Sequence, residues 1–324
     1  ALVEWGSTNR DTAALLISGT IALGAGGMLW WVTVPGNVRG RDVFSAVGWT
    51  WLVVTLVGAV PYLLGGTFDV PGIDRSGQFV NAIFESASGY SATGSTSLTD
   101  FEHPGRGMMM HRQITQWYGG MGMVVIAVAV LPFLGVGGMD LMSAEAPGPS
   151  GDRLTPRVSE TAKRLWFTYV LFTVGVSVTL IAIPGPSVYD AIAHGLTTIA
   201  TGGFSPHADS IGTFDSGAVE LAIIVGMVLG GTNFALHWRA VTGDRLAYWR
   251  DPEFRTYLKL LIGASVLVIG LLWLDAGLGI TEAIRAGVFN VVAIATSTGY
   301  GSAQGAGSSG DFALWVPAAQ LILL

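Results

Sequence analysis

Thr296-Ser297-Thr298-Gly299-Tyr300-Gly301 decides the fold, because near copies of it stand at two earlier places in the chain. Ser91-Ala92-Thr93-Gly94-Ser95 and Ala200-Thr201-Gly202-Gly203-Phe204 align with it on Gly94, Gly203 and Gly299 without gaps. The register runs backwards as well: Asn81-Ala82-Ile83-Phe84-Glu85 lies over Asp190-Ala191-Ile192-Ala193-His194 and over Ala286-Gly287-Val288-Phe289-Asn290. A repeat with a period of about 100 residues points to one structural unit used several times around an axis.

Composition sets the solvent. Hydrophobic residues make up 51% of the 324, charged residues 12%, and mean hydropathy is +0.56. A soluble domain carries about 25% charged residues, so this is a membrane protein. The chain has no cysteine, which excludes disulfides and thiolate metal sites. Residues 1–10 are polar and acidic, unlike a basic secretory leader. With no initiator Met and a last residue inside an apolar run, the sequence reads as a fragment cut at both ends.

Apolar stretches of about 20 residues cross the hydrocarbon core as helices. Such stretches are 12–34, ended by Pro35-Gly36, and 43–64, where Pro61 predicts a kink. Residues 78–89 are too short to span and run into the first Thr-Gly turn; 100–112 are polar, and 113–134 span again. The unit is thus a spanning helix, a half-helix, a Gly turn and a second spanning helix. The second unit repeats it with a span at 165–183, a half-helix at 189–199 and a return at 216–238. In the third, 257–274 span, 282–295 form the half-helix, and 312–324 begin a return. The predicted fold is an all-α polytopic membrane protein with pseudo-fourfold helix–pore loop–helix units. Units occupy 42–136, 161–239 and 257–324 (the last truncated), with connectors at 137–160 and 240–256 and one helix of an N-terminal pair in 1–41.

With the connectors on the cytoplasmic side, that side holds 11 of the 16 Lys and Arg residues and the opposite side 5. The positive-inside rule then turns the Gly loops outward. Acidic residues gather on that outer side, Asp100 and Asp209 each six residues after a turn glycine. Either acids collect where bases are excluded, or they form a mouth that concentrates cations.

Non-helical backbone is tolerated at membrane depth only when buried in protein or lining a water-filled cavity. Gly permits φ > 0, so a Thr-Gly turn can aim successive carbonyls at one axis, and rings of carbonyls replace the hydration shell of a cation. A half-helix entering from outside points its C-terminus inward, with about −0.5 elementary charge, which also favours a cation. The candidate ion-binding residues are Ala92, Thr93 and Gly94, Thr201, Gly202 and Gly203, and Ser297, Thr298 and Gly299.

Together with these turns, Phe84-Glu85-Ser86-Ala87-Ser88-Gly89, Gln116-Trp117-Tyr118-Gly119-Gly120-Met121-Gly122, Leu134-Gly135-Val136-Gly137-Gly138-Met139, Ala144-Glu145-Ala146-Pro147-Gly148-Pro149, Glu160-Thr161-Ala162-Lys163 and Tyr248-Trp249-Arg250-Asp251-Pro252-Glu253-Phe254 carry a family resemblance. Along its whole length the chain resembles the membrane subunit of the Trk/Ktr/HKT potassium transporters, and the Trk branch most. The resemblance implies K⁺ uptake across a prokaryotic cell membrane, with Gly94, Gly203 and Gly299 as filter glycines. Gly rather than Ser at position 94 goes with K⁺ in this family. It also implies a homodimer of the full-length subunit and a cytoplasmic NAD/ATP-binding regulatory ring. A helix before Thr12, a gating loop in the third unit and a whole fourth unit are expected beyond this chain. K⁺ is cargo, and no cofactor is expected in the chain itself.

Glu85, His194 and Asn290 share one repeat position, nine residues before each turn glycine. They either brace the turn or meet the ion. Arg112 reads as an anchoring or snorkelling residue at the outer end of a span. Asn233 and His237, beside Gly230-Gly231, read as helix-packing residues rather than cavity lining. The five histidines lack metal-site spacing, and the Gly-rich runs at 24–27 and 305–310 lack the features of nucleotide cradles. The alternatives are a Na⁺-selective or poorly discriminating channel of the same fold and, remotely, a polytopic membrane enzyme, which the near absence of carboxylates from the spans disfavours.

Overall fold

A computed structural model of the chain describes residues 10–33, 40–130, 151–274 and 277–303. The expected loop at Pro35-Gly36, the 137–150 part of the first connector, the Gly-rich run at 305–310 and the 312–324 return lie outside them. The described residues are helical, without strands: α1 (Arg10–Val32), α2 (Gly40–Gly65), α3 (Arg75–Tyr90), α4 (Arg106–Val130), α5 (Gly151–Ala182), α6 (Val188–Ile199), a 3₁₀ turn (Ser210–Phe214), α7 (Gly217–Gly230), α8 (Phe234–Val241), α9 (Ala247–Arg250), α10 (Pro252–Leu274) and α11 (Ile280–Ala295).

Among the described residues, Arg10–Val32, Ser45–Gly65, Glu160–Ala182 and Pro252–Leu274 are long and apolar enough to cross a bilayer. Their outward faces are apolar, as lipid requires: Trp31 on α1 is 90% exposed and Leu274 on α10 is 76% exposed. The half-helices α3, α6 and α11 have 16, 12 and 16 residues. At 1.5 Å per residue these reach about 18–24 Å, short of the roughly 30 Å core.

Local chemistry starts each half-helix. Asp74 caps α3 by accepting the Gly77 N–H at 2.9 Å and the Ser76 hydroxyl at 2.6 Å. The Ser76 and Gly77 bonds lower the Asp74 pKa. At α6, Ser187 and Asp190 form a reciprocal capping box.

The expected return at 216–238 is not one helix. α7 and α8 meet at a bend of 102°. Gly231 packs so closely that an added Cβ would stand 2.8 Å from the Tyr257 hydroxyl. Asn233 then starts α8 by accepting the Ala235 N–H at 3.0 Å, and the buried His237 is held between the Leu229 carbonyl and the Tyr248 hydroxyl at 2.8 and 2.7 Å. α4 also begins earlier than the hydropathy suggested, at Arg106, with Met108, Met109, Met110 and Arg112 buried in its first two turns. Tyr248 lies in α9, within the stretch read as a connector.

The units join through glycine-thin contacts. α4 packs on α3 of its own unit and on α5 and α6 of the next, and α7 packs on α11. A Cβ on Gly119 would lie 2.0 Å from the Tyr90 carbonyl oxygen, and one on Gly120 would lie 3.0 Å from Ala200 Cα. The run Gly119-Gly120 therefore seats α4 at the ends of two half-helices at once. Gly119→Ala is expected to destabilise the full-length protein in detergent by about 1–3 kcal/mol, since it overpacks against backbone. Gly263→Ala, where nothing lies within 4 Å, is expected to be neutral or to stabilise by about 0.5–1 kcal/mol. Thermal melting of the two variants checks the contrast.

Candidate functional site

Each half-helix ends in the same unusual backbone. Ala92, Thr201 and Ser297 have φ of 54°, 49° and 55°, and Gly94, Gly203 and Gly299 have 80°, 78° and 76°. The residues between them, Thr93, Gly202 and Thr298, are not in the left-handed region. Alternate residues are thus left-handed in all three turns, which swings successive carbonyls to one side of the chain. For a non-glycine residue this conformation costs about 1–2 kcal/mol, so each turn is held by partners. Thr93 N–H donates to the Ser88 carbonyl at 3.0 Å, Gly202 N–H to Thr197 at 2.9 Å and Gly299 N–H to Ala293 at 2.9 Å. These bonds also satisfy carbonyls that a helix end leaves open.

The turns are arranged in sequence around a common centre. A Cβ on Gly94 would lie 2.0 Å from the Gly202 carbonyl oxygen, and one on Gly203 would lie 1.8 Å from that of Thr298. Gly94 and Gly203 each face a carbonyl of the next turn, so at these two a side chain is excluded by space as well as by φ. At Gly299 no described residue lies within 4 Å of the equivalent position. On one side of the turns Gly94, Gly203, Gly299 and Gly301 line a cavity of about 110 Å³. On the other, Ala92, Thr201 and Ser297 line one of about 260 Å³.

The residues nine positions before each glycine bond the segment that follows their own turn. Glu85 accepts the Thr96 hydroxyl at 2.8 Å and the Ser97 N–H at 2.9 Å. His194 bonds the Ser205 hydroxyl at 3.1 Å, and Asn290 donates to the Ser302 hydroxyl at 3.4 Å. All three are buried. Asp100 is exposed and accepts the N–H groups of Glu102 and His103 at 2.9 and 3.1 Å; Asp209 is half-buried just before the 3₁₀ turn.

Arg112 corrects an expectation. It does not snorkel; it is 1% exposed and donates from Nε to Glu85 at 2.7 Å. It also donates to the Ser205 carbonyl at 3.0 Å, and its guanidinium lies 4.1 Å from the Phe204 ring centroid. The ion pair inside unit 1 is therefore also a strap onto unit 2. One helical turn on, Gln116 donates from Nε2 to the Gly202 carbonyl at 2.6 Å and accepts the Phe204 N–H at 2.9 Å. Units 2 and 3 are joined by the Tyr300 hydroxyl, 2.6 Å from Thr197 Oγ1, and by Arg285, whose Nε and Nη2 both lie 2.8 Å from Glu220.

A family model described as "TrkH: Cation transport protein" matches residues 12–304. The chain belongs to this family. It is 39% identical over 298 residues to the Trk system potassium uptake protein TrkH of Escherichia coli K12, covering 90% of this chain and 60% of that protein. Over 317 residues it is 38% identical to the protein of the same name from Halomonas elongata, covering 96% of this chain and 62% of the relative. The crystal structure of the potassium transporter TrkH from Vibrio parahaemolyticus superposes with a TM-score of 0.84 at 30% identity, covering 99% of this chain and 64% of that one. The chain spans about 60% of the length of these TrkH relatives. The family is one of membrane transporters, not enzymes.

In this TrkH-family chain the sequence pointed to the glycines and to position nine before them. It did not point to Arg112, Gln116 and Tyr300 as links between units. The one available signal was the i, i+4 spacing of Arg112 and Gln116, two polar residues on one face of a membrane helix. Breaking the buried pair with Arg112→Met leaves Glu85 uncompensated and is expected to cost about 3–5 kcal/mol. Combining Glu85→Gln with Arg112→Met is expected to cost less than the sum of the single changes, read by thermal unfolding of the full-length protein.

Proposed function

We propose that this chain is the larger part of a pore subunit that takes up K⁺ across a prokaryotic cell membrane. The observation that carries this reading is the alternation of left-handed residues at 92 and 94, 201 and 203, and 297 and 299, between two cavities. That backbone lets the carbonyls of Ala92, Thr93 and Gly94 and of their counterparts replace water around a desolvated cation. The half-helix C-termini of α3, α6 and α11 meet the turns and add negative potential. Glu85, His194 and Asn290 support the loops from behind. Asp100 and Asp209 stand by the outer mouth, with the loops facing outside and the basic connectors inside. The open position beside Gly299 is where a fourth loop, from beyond this chain, completes the ring. The names of the TrkH relatives, potassium uptake proteins, support K⁺ as the cargo.

The same reading includes a homodimer of the full-length subunit and a cytoplasmic NAD/ATP-binding ring that governs a gate. The connector that includes Arg239, Arg245 and Arg250 is the proposed contact for the ring; Asp244 already ties down Arg239 at 3.1 Å and Arg250 at 3.7 Å.

The full-length gene is expected to restore growth on limiting K⁺ to cells lacking K⁺ uptake. A well-expressed protein that fails to do so would count against K⁺. Gly94→Ser places a Cβ 2.0 Å from the Gly202 carbonyl at φ 80°. It is expected to lower K⁺ over Na⁺ discrimination by about tenfold, equivalent to about 1.4 kcal/mol, measured by ion uptake. An unchanged ratio would remove Gly94 from the filter, and a wild-type ratio favouring Na⁺ would reassign the cargo.

A further inference from the structure

We infer that Gln116 is a selectivity-determining positioning residue, a side-chain clamp delivered by unit 1 onto the filter loop of unit 2. This rests on the reading of the turns as a cation filter.

The geometry is that of a matched amide. Gln116 is fully buried, its NH₂ donates to the Gly202 carbonyl at 2.6 Å, and its carbonyl oxygen accepts the Phe204 N–H at 2.9 Å. A flip would set oxygen against the Gly202 carbonyl and NH₂ against the Phe204 N–H, so the acceptor on one side and the donor on the other fix a single orientation. The two bonds bracket Gly203 and tie down the peptide groups on both sides of it. The Gly202 carbonyl is also the one that faces Gly94 across the seam between turns. A carbonyl oxygen has two lone pairs, so the clamp occupies one direction and leaves the other for an ion. How far such a carbonyl swings, and how strong its field is, is what separates K⁺ from Na⁺.

A second observation comes from the turn's own sequence. Units 1 and 3 carry threonine just before the filter glycine, and unit 2 carries Gly202. Gly202 is not left-handed, so backbone conformation does not ask for glycine there. Space does: a Cβ on Gly202 would lie 2.4 Å from Gln116 Cδ. In the other turns the threonine hydroxyl braces its own loop, Thr93 to Ser91 at 2.7 Å and Thr298 to Thr296 at 2.7 Å. Unit 2 exchanges that local brace for an amide from its neighbour. Gly119-Gly120 seats α4 against both half-helices, and Arg112 holds the Ser205 carbonyl one turn earlier, so the amide is delivered from a fixed base.

The test uses the full-length protein in cells lacking K⁺ uptake, with K⁺ and Na⁺ uptake measured side by side and the amount of protein in the membrane determined. Gln116→Leu removes both bonds at similar size. Gln116→Glu keeps an acceptor for Phe204 but sets an oxygen against the Gly202 carbonyl. Both are expected to lower the K⁺-to-Na⁺ ratio by about tenfold, the change that about 1.4 kcal/mol produces. Ala200 stands where units 1 and 3 carry Ser91 and Thr296, so the combination Gln116→Ala, Gly202→Thr and Ala200→Ser supplies both hydroxyls of the brace and is expected to recover most of the ratio. It also decides the matter if Gln116→Leu is not recovered from membranes. A ratio within about twofold of wild type in Gln116→Leu and Gln116→Glu, or parallel loss of both ions at constant ratio, overturns the clamp. So does a combined variant that stays as unselective as the single changes. If the wild-type protein moves no K⁺, the cation-filter reading itself falls, a result distinct from an unchanged variant ratio.

Discussion

Among the described residues three helices, α3, α6 and α11, are too short to cross a bilayer, and each ends in carbonyl and N–H groups that lipid could not satisfy. The rest of the structure follows from placing those ends. Each end turns through two left-handed residues and closes a backbone bond onto its own half-helix, from Thr93 to Ser88, Gly202 to Thr197 and Gly299 to Ala293. The segment after the turn is then caught by a buried polar side chain from the half-helix: Glu85, His194 or Asn290. Strain at Ala92, Thr201 and Ser297 persists because the backbone bonds that close each turn hold it.

Polar links between units do work that hydrophobic burial does in water. Apolar helix faces gain little from each other in lipid, so close packing and hydrogen bonds decide how units associate. Unit 1 reaches unit 2 through Arg112 and Gln116, with α4 brought near by Gly119 and Gly120. Unit 2 reaches unit 3 through Thr197 to Tyr300 and Glu220 to Arg285. The Arg112, Gln116 and Tyr300 links bond residues of the turns or directly beside them, so what holds the units together there also sets where the turn carbonyls stand.

Much of this was legible in the chain by itself. Hydropathy gave the spans at 12–34, 43–64, 165–183 and 257–274, and the gapless repeat gave the half-helices and turns, because both are local patterns. Gly94, Gly203 and Gly299 announced positive φ, which only glycine adopts without cost. Ala92, Thr201 and Ser297 share that conformation and were silent, since nothing in an Ala, Thr or Ser marks a left-handed residue. The break between α7 and α8 was hidden for a related reason: hydropathy stays high through Gly230-Gly231, and the bend arises from the Asn233 cap and the close approach of Tyr257.

The sequence by itself determined the solvent, the repeated unit and the turn chemistry, since each is written in composition or in residues a few positions apart. Only the tertiary structure decided that Arg112 is buried, that Gly202 is glycine to make room for Gln116, and that Gly94 and Gly203 face carbonyls of the next turn. Those facts join residues between 86 and 108 positions apart in the chain. No periodicity carries information over that distance; packing three units around one centre creates it.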